Sequence, residues 1–193
     1  MSKVVLDANV LYSNTLRNLF LWLSWNNLVE VFWSEEIWNE VFRNYSKDQK
    51  KNEEFKNHVA SSVMVKFEGS MKKLKSGYAS VGLRDPDDEH VVALARQENI
   101  DLILTFDLGD FQEEILAAYQ IKARHPDLYL CELFDRYPDE VKETIFDLIS
   151  ESKKTKPTKA RYLEALSKAN AKDFSKKLVE SDKAENLFPE VWT

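Results

Sequence analysis

Cysteine and long apolar runs are nearly absent from this sequence. Cys131 is the single cysteine among 193 residues, which excludes a disulfide framework and a cysteine-based zinc site within the chain. The longest apolar stretches, such as 19–25, fall well short of the roughly 20 residues that cross a bilayer. No apolar leader segment follows Met1-Ser2-Lys3. We therefore expect a soluble protein of the reducing cytoplasm, with no membrane segment.

Glycine and histidine are also scarce. Three of the four glycines fall within 69–84, so we predict a loop or broken helix there and expect it to be the most mobile part of the chain. No glycine-rich phosphate-binding loop is present. His90 lies two residues beyond Asp88 and would point away from it on a helix, which predicts a position at the surface or behind the site. The three histidines therefore do not indicate histidine-based acid–base catalysis.

The charges are distributed unevenly along the chain. The formal net charge is −6, with acids concentrated at 85–89. Between Ser152 and Leu178, by contrast, nine basic residues stand against two acidic ones. This asymmetry fits an acidic centre flanked by a basic surface that holds a polyanion, and it equally fits a solvated helical tail.

Apolar runs typical of strands alternate with apolar residues at helical spacing. Strands are predicted at 3–6, 29–33, 63–67, 100–105 and 121–123. Helices are predicted at 15–27, 34–44, 47–62, 85–98, 111–119, 125–134 and 139–152, with one or two more over 158–180 after a linker. Strands separated by helices indicate an α/β protein with a mostly parallel sheet.

Four acidic segments occur where a strand ends or a helix begins. They are 6–9, Glu40, 85–88 and 105–110. The carboxyl ends of parallel strands lie on one edge of the sheet, where ligands bind. Carboxylates gathered there without basic partners imply a bound cation, and Mg²⁺ and Mn²⁺ prefer oxygen ligands. Such an ion can activate water for attack on a phosphodiester. The 6–9 segment lacks the second aspartate that an aspartate-nucleophile phosphatase needs.

The same segments resemble a known family. VVLDANVLYS (4–13), WSEEIWNEVFRN (33–44), LRDPDDEHVVALA (83–95) and LILTFDLGDF (102–111) are similar, in order and in spacing, to the motifs of PIN domains of VapC-type toxins. The resemblance implies a three-layer α/β/α sandwich with a mostly parallel central sheet. It also implies a nuclease domain at 1–137 and a C-terminal helical extension at 138–193.

Residue by residue, the resemblance implies the following roles. Asp7 matches the first acid of the family and would be a direct metal ligand, assisted by Asn9 and steadied by a hydrogen bond from Thr105. Glu40 matches the second acid and would act through water or on a second ion. Asp88 matches the third acid, with Asp87 as the competing choice.

For the fourth acid, Asp107 and Asp110 are near-equal candidates. We count both as candidate catalytic residues and Asp107 as a candidate metal ligand. Arg43 and Asn44 are candidate contacts to RNA or to a partner. The basic region adds three further candidate RNA contacts, which are Lys153, Lys154 and Lys156.

The function implied is a Mg²⁺- or Mn²⁺-dependent endoribonuclease that cuts RNA, with tRNA as the substrate class, and that acts as a VapC-like toxin. Its expected partner is a small VapB-like antitoxin, and homodimerisation fits the same family. Two alternatives stay open: a catalytically silent module that binds metal and RNA, and a structure-specific DNA nuclease. The tryptophans are expected in the core or at a partner interface rather than as base-stacking groups.

Overall fold

The computed structural model describes residues 1–45, 49–151 and 157–185, which form five strands and ten α-helices. The strands are β1 (Ser2–Leu6), β2 (Val29–Ser34), β3 (Met71–Lys72), β4 (Leu102–Leu104) and β5 (Lys122–Arg124). The helices are α1 (Ala8–Tyr12), α2 (Asn14–Trp25), α3 (Glu35–Tyr45), α4 (Gln49–Val59), α5 (Glu89–Gln97), α6 (Glu113–Ala117), α7 (Pro126–Arg136), α8 (Pro138–Ser150), α9 (Lys159–Lys168) and α10 (Lys172–Glu185). The predicted α/β class with C-terminal helices is confirmed.

The strands form one parallel sheet in the order β3-β2-β1-β4-β5. Leu6 of β1 lies opposite Leu104 of β4, and Leu104 lies opposite Arg124 of β5. From β1 the chain proceeds to β2 on one side, whereas β4 lies on the other side. The crevice at the carboxyl ends of β1 and β4 is therefore the topological switch point, where open α/β sheets bind their ligands.

Three helices that precede strands end in the same way. Each is followed by a residue with a left-handed backbone, namely Asn27, Asn99 and Gln120, with φ of 59°, 53° and 59°. The next N–H group donates back to a carbonyl five positions earlier: Leu28 to Leu23, Ile100 to Ala95 and Ile121 to Leu116. This is the hydrogen bond of a Schellman motif, which ends a helix sharply. Each helix end therefore fixes where the following strand begins.

The chain groups into two compact units. One comprises 2–12 and 30–124 and contains nearly the whole sheet with α1 and α3 to α6. The other comprises Met1, 13–29 and the chain from 125 onward, with α2 and α7 to α10. The domain boundary after 137 that the sequence suggested stays a prediction.

The helical unit has an apolar core of its own. Phe20 of α2 lies against Tyr129 of α7, with ring centroids 6.2 Å apart, and Phe134 of α7 meets Phe174 of α10 at the same distance. Asn26 donates from its side chain to the buried Thr144 hydroxyl of α8 at 3.0 Å. The helices predicted after Pro138 therefore pack with an N-terminal helix that lies far away in sequence.

The strand predicted at 63–67 is wrong. Residues Ala60–Met64 form a π-helical turn that extends α4. Phe55, Val59 and Val63 are buried at intervals of four, whereas Val65 is 71% exposed. Side chains at this spacing lie on one face of a helix, and this apolar stripe overrides the β propensity of the valines. The structure has a strand, β3, at Met71–Lys72 instead, within the segment 69–84 that was predicted to be a loop.

None of the helices within the described ranges is both long enough and apolar enough to span a bilayer.

A buried carboxylate on α7 caps α10. Asp127 accepts hydrogen bonds from the backbone N–H groups of Asp173, at 3.0 Å, and Phe174, at 2.7 Å. Asp127 is only 9% exposed, so little water is near to replace its hydrogen bonds to these two N–H groups if the carboxylate is removed. An anion at this place satisfies two N–H groups that no helical carbonyl reaches and complements the helix dipole.

We expect Asp127→Ala to lower the free energy of unfolding by about 1.5–3 kcal/mol, because it leaves two backbone donors without their charged acceptor. Chemical denaturation of the whole chain measures this loss. Asp135→Asn is the matched control, because Asp135 lies on the same helix in an exposed pair with Lys177. The control should cost less than about 1 kcal/mol. Equal losses in the two variants would contradict the capping role.

Candidate metal centre

Pairing of β1 with β4 brings Asp7 and Thr105 side by side. Past the paired leucines, the Asp7 N–H donates to the Leu104 carbonyl at 3.1 Å. The Thr105 hydroxyl donates to Asp7 Oδ2 at 2.7 Å, and the Ala8 N–H donates to Asp7 Oδ1 at 2.6 Å. Asp7 is 4% exposed and Thr105 is fully buried. Both carboxylate oxygens of Asp7 are thus held in place.

Asn9 connects this pair to the loop after β4. Its side-chain amide donates to Thr105 Oγ1 and to Asp107 Oδ2, each at 3.0 Å, and its oxygen accepts from the Phe106 N–H at 3.3 Å. Thr105 Oγ1 also accepts from the Asp107 N–H at 3.0 Å. One donated and two accepted hydrogen bonds use the full capacity of a hydroxyl. Asn9 and Thr105 therefore lie where the sequence assigned them supporting roles.

Glu40 reaches the same region from α3. Ser34 accepts from the Ile37 N–H through its hydroxyl at 3.3 Å, as expected of a helix cap, and Glu40 follows on the next turn. Glu40 is half-buried, and its Oε2 lies 3.9 Å from Nε2 of His90. Arg43 and Asn44 are exposed at the end of this helix. Burial raises the pKa of Glu40, and the charge of Arg43 only partly opposes this rise.

Asp88 lies at the junction between a short 3₁₀ turn, Pro86–Asp88, and α5. The turn is fixed by the Asp85 carboxylate, which accepts from the Asp87 N–H at 2.9 Å. Asp88 is half-buried, whereas Asp87 is exposed. Of the two competing residues, Asp88 is therefore the one more enclosed by protein.

The carboxylates in this region raise one another's pKa. Burial, together with the charges of Asp7, Asp85, Glu40 and Asp110, raises the pKa of Asp88 to about 7. Burial likewise raises the pKa of Asp7 to about 6, with a further contribution from Glu40, although the Thr105 and Ala8 hydrogen bonds oppose the rise. Like charges with this effect on one another lie close together in space.

The loop after β4 supplies the two remaining acids. Asp107 is exposed and Asp110 is half-buried, and the Asp110 N–H donates to the Asp107 carbonyl at 3.1 Å, which closes a turn. Asp107 is linked to Asp7 through Asn9 and Thr105, and its charge raises the pKa of Glu40. The charge of Asp110 instead raises the pKa of Asp88. Lys153, Lys154 and Lys156 lie outside the described residues.

The donor set suits a hard cation in its chemistry. Within the described ranges, no lysine or arginine forms an ion pair with Asp7, Asp88 or Asp110. In the same ranges, no three His, Cys, Asp or Glu side chains are arranged to hold a metal ion. Mg²⁺ usually takes only one or two carboxylates and completes its shell with water. The residues fit this kind of partly hydrated ion, rather than a closed cage of protein ligands.

Of the two positions expected for His90, the surface is excluded. The residue is buried, 8% exposed, and its Nε2 lies 3.9 Å from Oε2 of Glu40. The helix begins only at Glu89, after a 3₁₀ turn, so continuous α-helical spacing from Asp88 to His90 does not apply. Sequence spacing alone could not show this change of geometry.

Glu89 was not singled out from the sequence, yet it holds the loop that leads into the site. Its carboxylate accepts from the Ser80 hydroxyl at 2.7 Å and from three successive N–H groups, those of Val81, Gly82 and Leu83, at 2.7–2.9 Å. Desolvation alone would raise the pKa of Glu89, but these hydrogen bonds outweigh it and lower the pKa. Gly82 has φ of 83°, which glycine adopts without strain.

Further contacts hold the preceding residues, which the sequence suggested were mobile. Gln97 accepts from the Lys75 N–H at 2.9 Å and donates to the Lys73 carbonyl at 3.0 Å. Arg96 donates to the Ala79 carbonyl at 3.3 Å. Side chains of α5 therefore fasten much of the glycine-containing segment.

Comparison with known proteins agrees with this geometry. A family model described as a PIN domain matches residues 3–109. VapC50 of Mycobacterium tuberculosis (strain H37Rv), which is named provisionally as a ribonuclease, is 39% identical over 62 residues. That match covers 32% of this chain and 37% of the relative, so the chain spans little more than a third of the length of the curated relative it matches. No solved structure matches the chain significantly.

We expect Glu89→Gln to loosen residues 81–83. Hydrogen bonds to a charged acceptor contribute about 1.5–3 kcal/mol, so amide hydrogen exchange there should accelerate roughly ten- to a hundredfold. Exchange followed by NMR measures this. Glu98→Gln is the control, because Glu98 lies just after α5 and accepts from Gln97 without touching 81–83. Unchanged protection of these amides in Glu89→Gln would refute the anchoring role.

Proposed function

Since the chain belongs to the PIN domain family, we propose that it is a metal-dependent endoribonuclease that hydrolyses RNA phosphodiesters. We further propose that it acts as a VapC-like toxin. The relation to VapC50, a protein named as a ribonuclease, supports the choice of RNA over DNA. The site lies at the carboxyl edge of the sheet, where folds of this class bind ligands.

The observation that carries this proposal is the excess of negative charge at the ends of β1 and β4. Asp7 and Asp88 have pKa values raised to about 6 and about 7, and burial and neighbouring carboxylates are the causes. Ionised carboxylates under these conditions repel one another unless a cation lies among them. The fold keeps them together although this costs stability, which is expected of a site that binds ions.

We propose different roles for the residues of the site. Asp7 and Asp88 would hold a Mg²⁺ or Mn²⁺ ion directly, with Glu40 and either Asp107 or Asp110 acting directly or through water. When bound, the ion supplies charge stabilisation on phosphoryl oxygens and activates the attacking water. Thr105 and Asn9 keep the Asp7 carboxylate in one orientation, so that binding the ion requires little rearrangement.

The substrate we propose is RNA, with tRNA as its class. Arg43 and Asn44 are exposed at the end of the helix that carries Glu40, and we propose that they contact the RNA. The lysines at 153, 154 and 156 would add contacts to the phosphate backbone, because each neutralised phosphate releases counterions.

We expect Asp7→Asn and Asp88→Asn each to lower metal-dependent RNA cleavage at least about a hundredfold, because each removes a proposed ligand. Gel analysis of RNA and DNA fragments, with titrated Mg²⁺ or Mn²⁺, measures this. Asp101→Asn is the control, because Asp101 is exposed and directly precedes β4, at the opposite edge of the sheet. RNA bound without fragments would favour a silent binding module, and DNA cut in preference to RNA would favour a DNA nuclease.

The partner we propose is a VapB-like antitoxin, and a homodimer fits the same family. Trp33 and Trp38 are fully buried, so they contribute to the core rather than to an interface. Trp25 at the end of α2 is 61% exposed and is the better docking group for an apolar antitoxin helix.

Copurification with the product of the adjacent reading frame tests this partner. We expect a complex with the wild-type chain and a loss of affinity of about 2 kcal/mol or more with Trp25→Ala, as for a buried aromatic anchor. Tyr137→Ala is the control, because Tyr137 is a similarly exposed aromatic residue after α7. Full binding by Trp25→Ala would remove α2 from the interface, and no complex at all would count against a toxin.

A further inference from the structure

A ring nitrogen of His90 stands unpaired inside the acidic cluster. Its Nε2 is buried and has no hydrogen-bond partner among the described residues. The whole residue is only 8% exposed. A buried polar atom without a partner has lost its hydration and gained no hydrogen bond, so such atoms are uncommon in native proteins. This nitrogen therefore calls for a physical explanation.

The other ring nitrogen shows how the ring is protonated. His90 Nδ1 lies 2.6 Å from the carbonyl oxygen of Asp87. A carbonyl only accepts hydrogen bonds, so Nδ1 carries the hydrogen and donates it. In the neutral ring, Nε2 is then left with a lone pair, and this is the form in which histidine binds metal ions.

The lone pair of Nε2 faces a carboxylate. Glu40 Oε2 is 3.9 Å away. At this separation Nε2 makes no hydrogen bond to Glu40, so the buried nitrogen stays unpaired beside a carboxylate oxygen. A cation between the two atoms would give both a partner.

The gap is narrow enough for one ion to contact both atoms. Oxygen and imidazole ligands lie about 2.0–2.2 Å from small divalent ions, so two ligands on one ion are at most about 4.4 Å apart. The separation of 3.9 Å between Nε2 and Oε2 lies within that limit. The charge of Glu40 raises the pKa of Asp7 and of Asp88, the proposed ligands of the main site, so this position adjoins them.

We propose that His90 and Glu40 together form a cation position with one nitrogen and one oxygen ligand, which binds transition ions such as Mn²⁺ and Co²⁺ in preference to Mg²⁺. This inference rests on the proposed metal-dependent function. Mg²⁺ is a hard ion that keeps oxygen ligands and water, whereas affinity for a site with nitrogen rises from Mn²⁺ to Co²⁺. The chain would thus differ from an all-carboxylate site in the ions it selects.

The direct test is pulsed electron paramagnetic resonance of Mn²⁺ added to the full chain without RNA. A nitrogen ligand gives a ¹⁴N coupling to the ion, and labelling the histidines with ¹⁵N should change that coupling. We expect the coupling in the wild-type chain, its loss in His90→Asn and its retention in His58→Asn. An asparagine at 90 retains a donor for the Asp87 carbonyl but has no group in the place of Nε2. His58 lies on α4 and contacts Ser62 instead.

Calorimetry of the same variants gives a second measurement. Mn²⁺ and Co²⁺ affinity should fall at least about tenfold in His90→Asn, while Mg²⁺ affinity should change less than about threefold. If His90→Asn fails to fold, the ¹⁵N-labelled wild-type chain still decides whether a histidine binds the ion. His90→Gln, whose amide oxygen lies near the place of Nε2, then replaces the first variant.

The outcomes separate the two proposals. Mn²⁺ bound without a nitrogen coupling, or with a coupling that persists in both His90 variants, would overturn the role of His90 and leave the metal-dependent nuclease intact. A coupling lost in His58→Asn would do the same. Failure of the wild-type chain to bind Mn²⁺, Co²⁺ or Mg²⁺ at all would overturn both.

Discussion

The candidate site depends on the register between β1 and β4. That pairing places Leu6 opposite Leu104, and the next residues along each strand are Asp7 and Thr105. The Thr105 hydroxyl then donates to the carboxylate of Asp7 and accepts hydrogen bonds from the Asn9 side chain and the Asp107 N–H group. Ordinary strand pairing, which apolar burial drives, therefore places the polar groups. The chemistry of the site follows from the packing of leucines and valines beneath it.

Repulsion among the acids is the cost of this arrangement. Two carboxylates about 4 Å apart repel by roughly 4 kcal/mol at an effective dielectric of 20, a large fraction of the stability of a small domain. The surrounding hydrogen bonds oppose this repulsion at Asp7 but not at Asp88. By contrast, Glu89 is fully satisfied by the 80–83 loop. Two successive acids thus differ: the Asp88 carboxylate accepts no hydrogen bond from the described residues, whereas Glu89 stabilises the loop.

Most of the strands could be predicted from the sequence. The features that could not be predicted each have a physical reason. The strands at 3–6, 29–33 and 100–105 are apolar runs with clear ends. The valines at 63 and 65 suggested a strand, but the apolar residues from Phe55 onward follow helical spacing and extend a helix instead. Of the two positions expected for His90, burial beside Glu40 excludes the surface. The anchoring by Glu89 depends on contacts to loop amides, which leave no pattern in the sequence.

The sharp helix ends at Asn27, Asn99 and Gln120 have a further consequence for how this chain can vary in length. Each leaves a connection of only three or four residues between helix and strand. Deleting one residue between α5 and β4 would shift every β4 side chain to the opposite face of the sheet. Phe106 would then take the place of Thr105 beside Asp7. Insertions and deletions should therefore be excluded from these turns, even though the turns lie at the edge of the sheet farthest from the acids.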